Sequence, residues 1–277
     1  MTLREALAHL QGKGLDRIDA QMLLLLALGR GAHERAWLMA HDGDALDAST
    51  TARLDALAQR RADGEPMAYL RGDQEFFGLT LQVDARVLVP RSDTETLVSW
   101  AIARFDHFPG PTRVLDLGTG SGAIALAIKA QRPAACVFAT DASDGALCVA
   151  RRNAGRLGLA VDFLPGHWIA AVPGQRFHII ASNPPYIAEG DIHLAALGHE
   201  PVSALTAGAD GLDDIRHIVA HAHEALHPGG WLLLEHGHDQ APAVRELLRA
   251  AGFEQVDSRA DLAGIARCSG GQWPQRR

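Results

Sequence analysis

Val114-Leu115-Asp116-Leu117-Gly118-Thr119-Gly120-Ser121-Gly122 carries the organising signal of this chain. An apolar β-type run over Thr112 to Leu117 ends in three alternating glycines, and the apolar stretch Ala123 to Ala130 that follows reads as a buried helix. Glycine is needed where the backbone turns tightly and where a ligand must approach without meeting a Cβ atom. Asp141 closes the next β-type run, Ala135 to Thr140, about twenty residues downstream, where a carboxylate can take both ribose hydroxyls of an adenosine. Strand, glycine loop, helix, strand and acid together open a doubly wound α/β sheet, whose ligands sit at the carboxyl ends of its strands.

The alternation continues downstream. Gly145 to Leu157 reads as a helix, Phe177 to Ala181 as a buried strand, Leu212 to Leu226 as a helix, and Gly230 to Glu235 as a strand after the Pro228-Gly229-Gly230 turn. Arg245 to Ala251 forms a further helix closed by Gly252. Right-handed crossovers between such units give a parallel sheet covered on both faces. Upstream the period is helical: Leu3, Ala6, Leu7 and Leu10 share a face, Met22 to Leu28 is buried in character, and Leu54, Leu57 and Ala58 repeat the pattern. Between the two regions Leu79, Leu81 and Val83 alternate with polar residues, and Val87 to Val89 ends at Pro90; Asp84-Ala85 is the expected hairpin turn. The predicted division is a small all-helical domain over 1–73, a β-hairpin linker over 74–90 and an α/β domain over 91–277. The polar tail from Gln272 to Arg277 is expected to fray.

With 277 residues, 47% of them hydrophobic, the chain can bury a sizeable core without disulfides. A formal net charge of -7 argues against a nucleic-acid duplex as the main partner, because such a groove needs a basic excess. Cys136, Cys148 and Cys268 are isolated and nowhere in a CxxC spacing, which fits a reducing compartment and supports neither a disulfide framework nor a zinc site. The opening residues carry Glu5 and no continuous apolar stretch, so no signal peptide is expected. The longest apolar run, Met22 to Leu28, is far short of a membrane span. A cytoplasmic protein follows as the expectation.

The glycine loop by itself suits two ligands. Gly118, Gly120 and Ala123 also satisfy the dinucleotide fingerprint of a nicotinamide enzyme. Two features favour a methyl donor: Asp116, just ahead of the loop, is placed to receive the ammonium group of a methionine moiety, and Gly122 opens room at the helix start. A bare glycine turn between strand and helix is the plain structural alternative, and the spacing to Asp141 argues against it.

Asn183-Pro184-Pro185-Tyr186 follows the strand at Phe177 to Ala181, so it falls at the same sheet edge as the glycine loop. An amide or aromatic amine is a poor nucleophile because its lone pair is delocalised. A catalyst must grip the NH2 group so that the nitrogen can turn its lone pair towards an activated methyl. The side-chain oxygen of Asn183 and the carbonyl of Pro184 are suited to that. Prolines bring no competing N–H and force the preceding residue into an extended conformation, so the acceptors are aimed in advance. Tyr186 can cover the flat face of an amide or base. Fixed acceptors favour the positive charge that develops on nitrogen, and positioning supplies most of the remaining acceleration. A proline-rich turn without function is the alternative, and the upstream loop and acid weigh against it.

With these stretches in view, the chain resembles the release-factor glutamine methyltransferases, the PrmC or HemK family, over nearly its whole length. Gly64-Glu65-Pro66-Met67-Ala68-Tyr69-Leu70, Phe76-Phe77-Gly78-Leu79, Val89-Pro90-Arg91-Ser92-Asp93-Thr94-Glu95, Asn183 to Tyr186 and Leu233-Leu234-Glu235-His236-Gly237 read like its signature stretches. The resemblance implies a helical-bundle domain, a hairpin linker and a Rossmann-like S-adenosylmethionine methyltransferase domain. It implies that Gly118, Thr119, Gly120, Ser121, Gly122, Asp141, Trp168 and Asn183 hold S-adenosyl-L-methionine, with S-adenosyl-L-homocysteine as product and Trp168 against the adenine. It further implies that Asn183, Pro184, Pro185 and Tyr186 hold the substrate, with Asn183, Pro184 and Tyr186 catalytic. That substrate would be the glutamine of the Gly-Gly-Gln motif in class 1 peptide chain release factors. The chain departs from the family at His167, where an acidic residue usually precedes the aromatic. Glu200-Pro201 is similar to the family's pattern near the substrate channel and is assigned no role.

Other acceptors share the Asn-Pro-Pro-Tyr motif: a glutamine of a ribosomal protein, and adenine in DNA. Asp19-Ala20-Gln21 is closer to the release-factor branch, and the acidic balance speaks against DNA. A nicotinamide dehydrogenase or a non-catalytic nucleotide-binding module stays open on the glycine loop alone. His217/His221 and His223/His227 have i, i+4 spacing, yet lie outside the apolar stripe of Ile215, Ile218, Val219, Ala222, Ala225 and Leu226 and have no third ligand in view, so no metal is expected. His236 and His238 follow a strand at the active edge without an assigned role. Arg60-Arg61 reads as a solvated helix face.

Overall fold

Helices α1 (Leu3–Gly12), α2 (Arg17–Ala27), α3 (Arg35–Ala40), α4 (Ala48–Ala62) and α5 (Met67–Arg71) make up the first of two units, Met1–Gly72. The computed structural model describes residues 1–275. Side-chain caps set the helix starts. Thr2 Oγ1 accepts the Glu5 N–H while Glu5 accepts the Thr2 N–H, and Asp16 and Asp47 cap α2 and α4. The apolar stripes read from the sequence meet in one core, where Leu3, Ala6 and Leu10 pack with Leu23, Leu24, Leu54 and Leu57. Asp19 accepts from Arg61 Nε at 2.6 Å, tying α2 to α4, and Arg60 pairs with Glu65. Arg60 is exposed, as a solvated helix face requires, while the half-buried Arg61 is engaged by Asp19.

The second unit, which begins at Asp73, opens with a hairpin of β1 (Asp73–Phe76) and β2 (Leu79–Gln82). Its turn is Phe77-Gly78, both left-handed at φ 50° and 76°, not the expected Asp84-Ala85. Left-handed dihedrals at both central positions are those of a type I′ turn, normally signalled by Asn-Gly, and phenylalanine at the first position hides it. The run Val87 to Val89 is accordingly no strand. Val87 and Val89 are buried, but the Val89 N–H donates to Glu200 Oε2 at 2.9 Å.

Next come α6 (Thr94–Arg104), β3 (Arg113–Leu117), α7 (Ala123–Gln131), β4 (Cys136–Asp141), α8 (Asp144–Leu157), β5 (Asp162–Pro165), β6 (Phe177–Ser182), α9 (Asp213–His221), β7 (Leu226–Glu235), α10 (Ala241–Ala250), β8 (Glu254–Ala260) and β9 (Ala266–Gln272). The strands form one seven-stranded sheet in the order β5-β4-β3-β6-β7-β9-β8. The first five run parallel, and β9 is antiparallel to both β7 and β8. From β3 the chain moves outward through β4 to β5, and from β6 it moves the other way, so the strand order reverses between β3 and β6. A crevice at that reversal is where ligands bind in such sheets. One face is covered by a core including Leu97, Trp100, Ile124 and Ile128, the other by Trp168, Ile215, Ile218, Val244 and Leu248.

Two expectations are corrected downstream. The helix expected over Leu212 to Leu226 ends at His221, a 3-10 turn covers Ala222–Glu224, and Leu226 already belongs to β7. Gln272 ends β9 and is not frayed; the Trp273 N–H donates to the Gly230 carbonyl at 2.7 Å, and its ring lies against Phe253. Arg276 and Arg277 of the expected fraying tail lie outside the described residues. Among the described residues no helix is long and apolar enough to cross a membrane.

Candidate active site

Strands β3 and β6 pair in register, Leu117 opposite Ser182, and Ser182 Oγ donates to the Leu117 carbonyl at 2.7 Å. Gly118 and Asn183 therefore leave neighbouring strands at the same height. Both segments open on one cavity of about 400 Å³, which Asp141 and Trp168 also line. That volume falls within the range of small-molecule sites.

Gly118, Gly120 and Gly122 are all left-handed. The requirement is sharpest at Gly118, φ 69°, where a Cβ would stand 3.0 Å from the Trp168 ring. The Gly120 N–H donates to Asp141 Oδ2 at 2.9 Å and the Ser143 N–H to Oδ1 at 2.8 Å. Two backbone donors thus fix the Asp141 carboxylate, which keeps further lone pairs for hydroxyls in the cavity. Thr119 and Ser121 also line the wall. Asp116 is placed differently from its expectation. It is fully buried beneath the loop, with Oδ2 accepting from Thr119 Oγ1 at 2.6 Å and from the Ala125 N–H at 3.1 Å. Its Oδ1 makes no hydrogen bond to the described residues, and burial pushes the carboxyl up to about 7. It braces the loop rather than facing the cavity.

The loop after β5 supplies the opposite wall. Trp168 adopts φ 46°, an uncommon conformation for a large side chain and a sign that surrounding structure holds it there. Gly166, His167 and Asp214 line the same end of the cavity.

Asn183 Nδ2 donates to Thr94 Oγ1 at 3.3 Å. Asn183 and Pro185 line the cavity, whereas Pro184 and Tyr186 do not. Tyr186 donates its hydroxyl to Glu235 Oε1 at 3.3 Å, and its carbonyl accepts from Gln240 Nε2 at 3.0 Å. Burial pushes the Glu235 carboxyl up to about 7, and burial beside Glu235 raises the Tyr186 phenol. The peptide bonds before Pro184 and Pro185 are trans. Sequence reasoning assigned no role to Thr94, Glu235, Glu200 or Asp214. Glu200, nearly buried, accepts from Val89 N–H and pairs with Arg91, and the segment after it brings Pro201, Ser203, Ala204 and Thr206 to the cavity.

The histidines set aside lie elsewhere. The His217 and His221 rings meet tilted at 4.5 Å, His223 meets Trp273 tilted at 5.4 Å, and His236 is buried against Ser269 Oγ at 2.8 Å. Among the described residues no group of three or more His, Cys, Asp or Glu side chains is placed to hold a metal ion.

Residues 102–258 match the Methyltransferase small domain, and residues 2–72 match the PrmC N-terminal domain. The chain is 52% identical over 274 residues to the release factor glutamine methyltransferase of Burkholderia pseudomallei, an alignment spanning 96% of this chain and 95% of that one. The chain belongs to the release factor glutamine methyltransferase family. It is 43% identical over 276 residues to the member from Escherichia coli K12, spanning 99% of this chain and 98% of that one. A methyltransferase from Pyrococcus furiosus, 22% identical with a TM-score of 0.53, covers 72% of this chain and 91% of its own, a likeness of fold alone. Family membership decides between the two readings of the glycine loop: the enzyme is a methyltransferase, not a nicotinamide dehydrogenase.

Proposed function

We propose that the protein transfers a methyl group from S-adenosylmethionine to the side-chain amide nitrogen of the glutamine in the Gly-Gly-Gln motif of class 1 peptide chain release factors. The observation that carries this is the opening of the glycine loop and Asn183 on one cavity, at the point where the strand order reverses. S-adenosylmethionine is the donor, and when bound it supplies an electrophilic sulfonium methyl. The residues fit it. Gly118 to Ser121 admit a ligand close to the backbone, while Gly122 packs against Leu126 and Ala150 instead of lining the cavity; Asp141 offers acceptors to ribose hydroxyls, and Trp168 offers a flat wall to an adenine.

The protein's part in the reaction is to hold an amide. Asn183 Oδ1 and the Pro184 carbonyl accept from the two N–H groups of the substrate glutamine, Pro185 lines its seat, and Tyr186, held by Glu235 and Gln240, fixes the segment that carries them. Held so, the amide nitrogen turns its lone pair out of conjugation, and the two acceptors stabilise the charge it gains. The methylated nitrogen is acidic and releases its proton without a dedicated base. A translation factor as substrate and three unpaired cysteines suit a cytoplasmic enzyme, and the partner bound is a protein rather than nucleic acid.

Incubation with labelled donor and purified release factor, large-subunit ribosomal protein or DNA tests the acceptor. Label is expected in the release factor alone and is lost when its Gly-Gly-Gln glutamine is replaced. Label in the ribosomal protein or in DNA instead overturns the assignment.

A further inference from the structure

Asp214 lines the cavity yet takes no part in the chemistry above. It stands in the first turn of α9, beside Gly166, His167 and Trp168. Its carboxyl shares that wall with the Trp168 side chain, and His167, His217 and Asp213 are the titratable neighbours that bear on it. Partial burial raises its pKa, while the Trp168 contact opposes that rise.

An adenine laid on Trp168 presents an exocyclic amino group at its edge. That group sheds water on entry and needs an acceptor, because an unpaired buried donor is costly. The acceptors at this end of the cavity are few. Both Asp141 oxygens are held by backbone N–H groups, and the carboxylate sits at the end of β4 where ribose hydroxyls fall. The His167 ring stands edge-on to Trp168 at 5.6 Å and 89°, and an imidazole nitrogen accepts in only one tautomer. The Asp214 carboxylate lines this end of the cavity and, when ionised, offers only acceptors.

We infer that Asp214 receives the adenine amino group of the bound donor and thereby sets the enzyme's preference for an adenosyl over an inosyl ligand. This rests on the reading of the cavity as the donor site. Inosine replaces the amino group with a carbonyl, which turns an acceptor towards the carboxylate. A hydrogen bond to a charged group is therefore exchanged for repulsion, a difference of roughly tenfold or more in affinity.

Titration calorimetry of the full chain with S-adenosylhomocysteine and S-inosylhomocysteine tests the inference without turnover. The unaltered protein should bind the adenosyl compound at least about tenfold more tightly. In Asp214→Asn, whose amide can pair with either base, the preference should shrink to within about threefold, and Asp214→Ser should behave alike. Trp168→Phe should weaken both compounds while keeping the preference. A preference unchanged in both Asp214 variants, with the two affinities falling in parallel, makes Asp214 a support for Trp168 alone and overturns the inference. If the unaltered protein binds neither compound, the reading of the cavity fails instead.

Discussion

Asn183 gives its side-chain N–H to the Thr94 hydroxyl at 3.3 Å, so the atom it keeps for a ligand is Oδ1. An asparagine can present either a donor or an acceptor, and a substrate amide needs the acceptor. Thr94, at the start of α6, makes the choice. Asn183→Ala is expected to lower kcat by about 10²- to 10³-fold, the usual consequence of removing one fixed group that meets the transition state. Thr94→Val, which leaves Asn183 in place but free to turn over, should lose about tenfold. Single-turnover transfer of label to release factor measures both, and equal activity in Thr94→Val and the parent would deny the threonine this role.

Gly211 extends the same reasoning to a residue outside the cavity wall. It adopts φ 72°, and a Cβ there would stand 2.2 Å from the Tyr186 carbonyl oxygen. Gly211→Ala carries left-handed strain of about 1–2 kcal/mol and in addition must push the Asn183–Tyr186 segment aside. Transfer to release factor should fall at least about tenfold, since small displacements of positioned groups are costly. Affinity for S-adenosylhomocysteine, measured by calorimetry, should change far less. Loss of both together would point to general unfolding.

How much of this was legible before the structure follows from how local each signal is. The glycine loop and Asp141 could be read because a left-handed backbone and an acid at a strand end are requirements of single positions. Asn183 could be read because its neighbours are prolines. Thr94 could not, standing 89 residues from the amide it orients, nor Glu235, 49 residues from Tyr186. Their types carry no periodicity, and only the sheet order brings them together. Asp116 was misplaced because sequence gives its height on β3 but not the competing Thr119 and Ala125 donors that turn it beneath the loop. β8 and β9 escaped notice because the exposed edge strand β8 tolerates a polar run, Asp257-Ser258-Arg259, and the inner strand β9 is built of small residues, Ser269-Gly270-Gly271, that carry no apolar alternation.

Asn153, on α8, is fully buried and spends its amide on three backbone groups. Oδ1 accepts the Gln82 N–H at 2.7 Å, and Nδ2 donates to the carbonyls of Gln82 and Ser121, each at 2.9 Å. One side chain thus fastens the β1–β2 hairpin and the end of the glycine loop to the same helix. Asn153→Ala leaves those groups without partners, and a loss of about 2–4 kcal/mol is expected. Urea unfolding at constant m-value measures it. A change below about 0.5 kcal/mol, the scale of an ordinary surface substitution, would contradict this account.

Glu235 couples stability to pH. Its carboxyl is raised to about 7 when folded, from an ordinary value of 4.5, because burial disfavours the charged form. Below the ordinary value the group is protonated in both states and no penalty arises. Between the two values only the folded state keeps the proton, so stability falls as pH rises, by up to about 1.4 kcal/mol per pH unit from this group. Above about 7 both states are ionised and the loss is complete. Asp116, also raised to about 7, adds a loss of the same sign. Thermal unfolding at pH 5.5 and 7.5 should show the parent less stable at the higher pH relative to Glu235→Gln, whose amide does not titrate. The difference between the two proteins should level off above pH 7. If the two lose stability in parallel across that window, Glu235 is ionised throughout, and the negative charge must be held by the Tyr186 hydroxyl and its other neighbours.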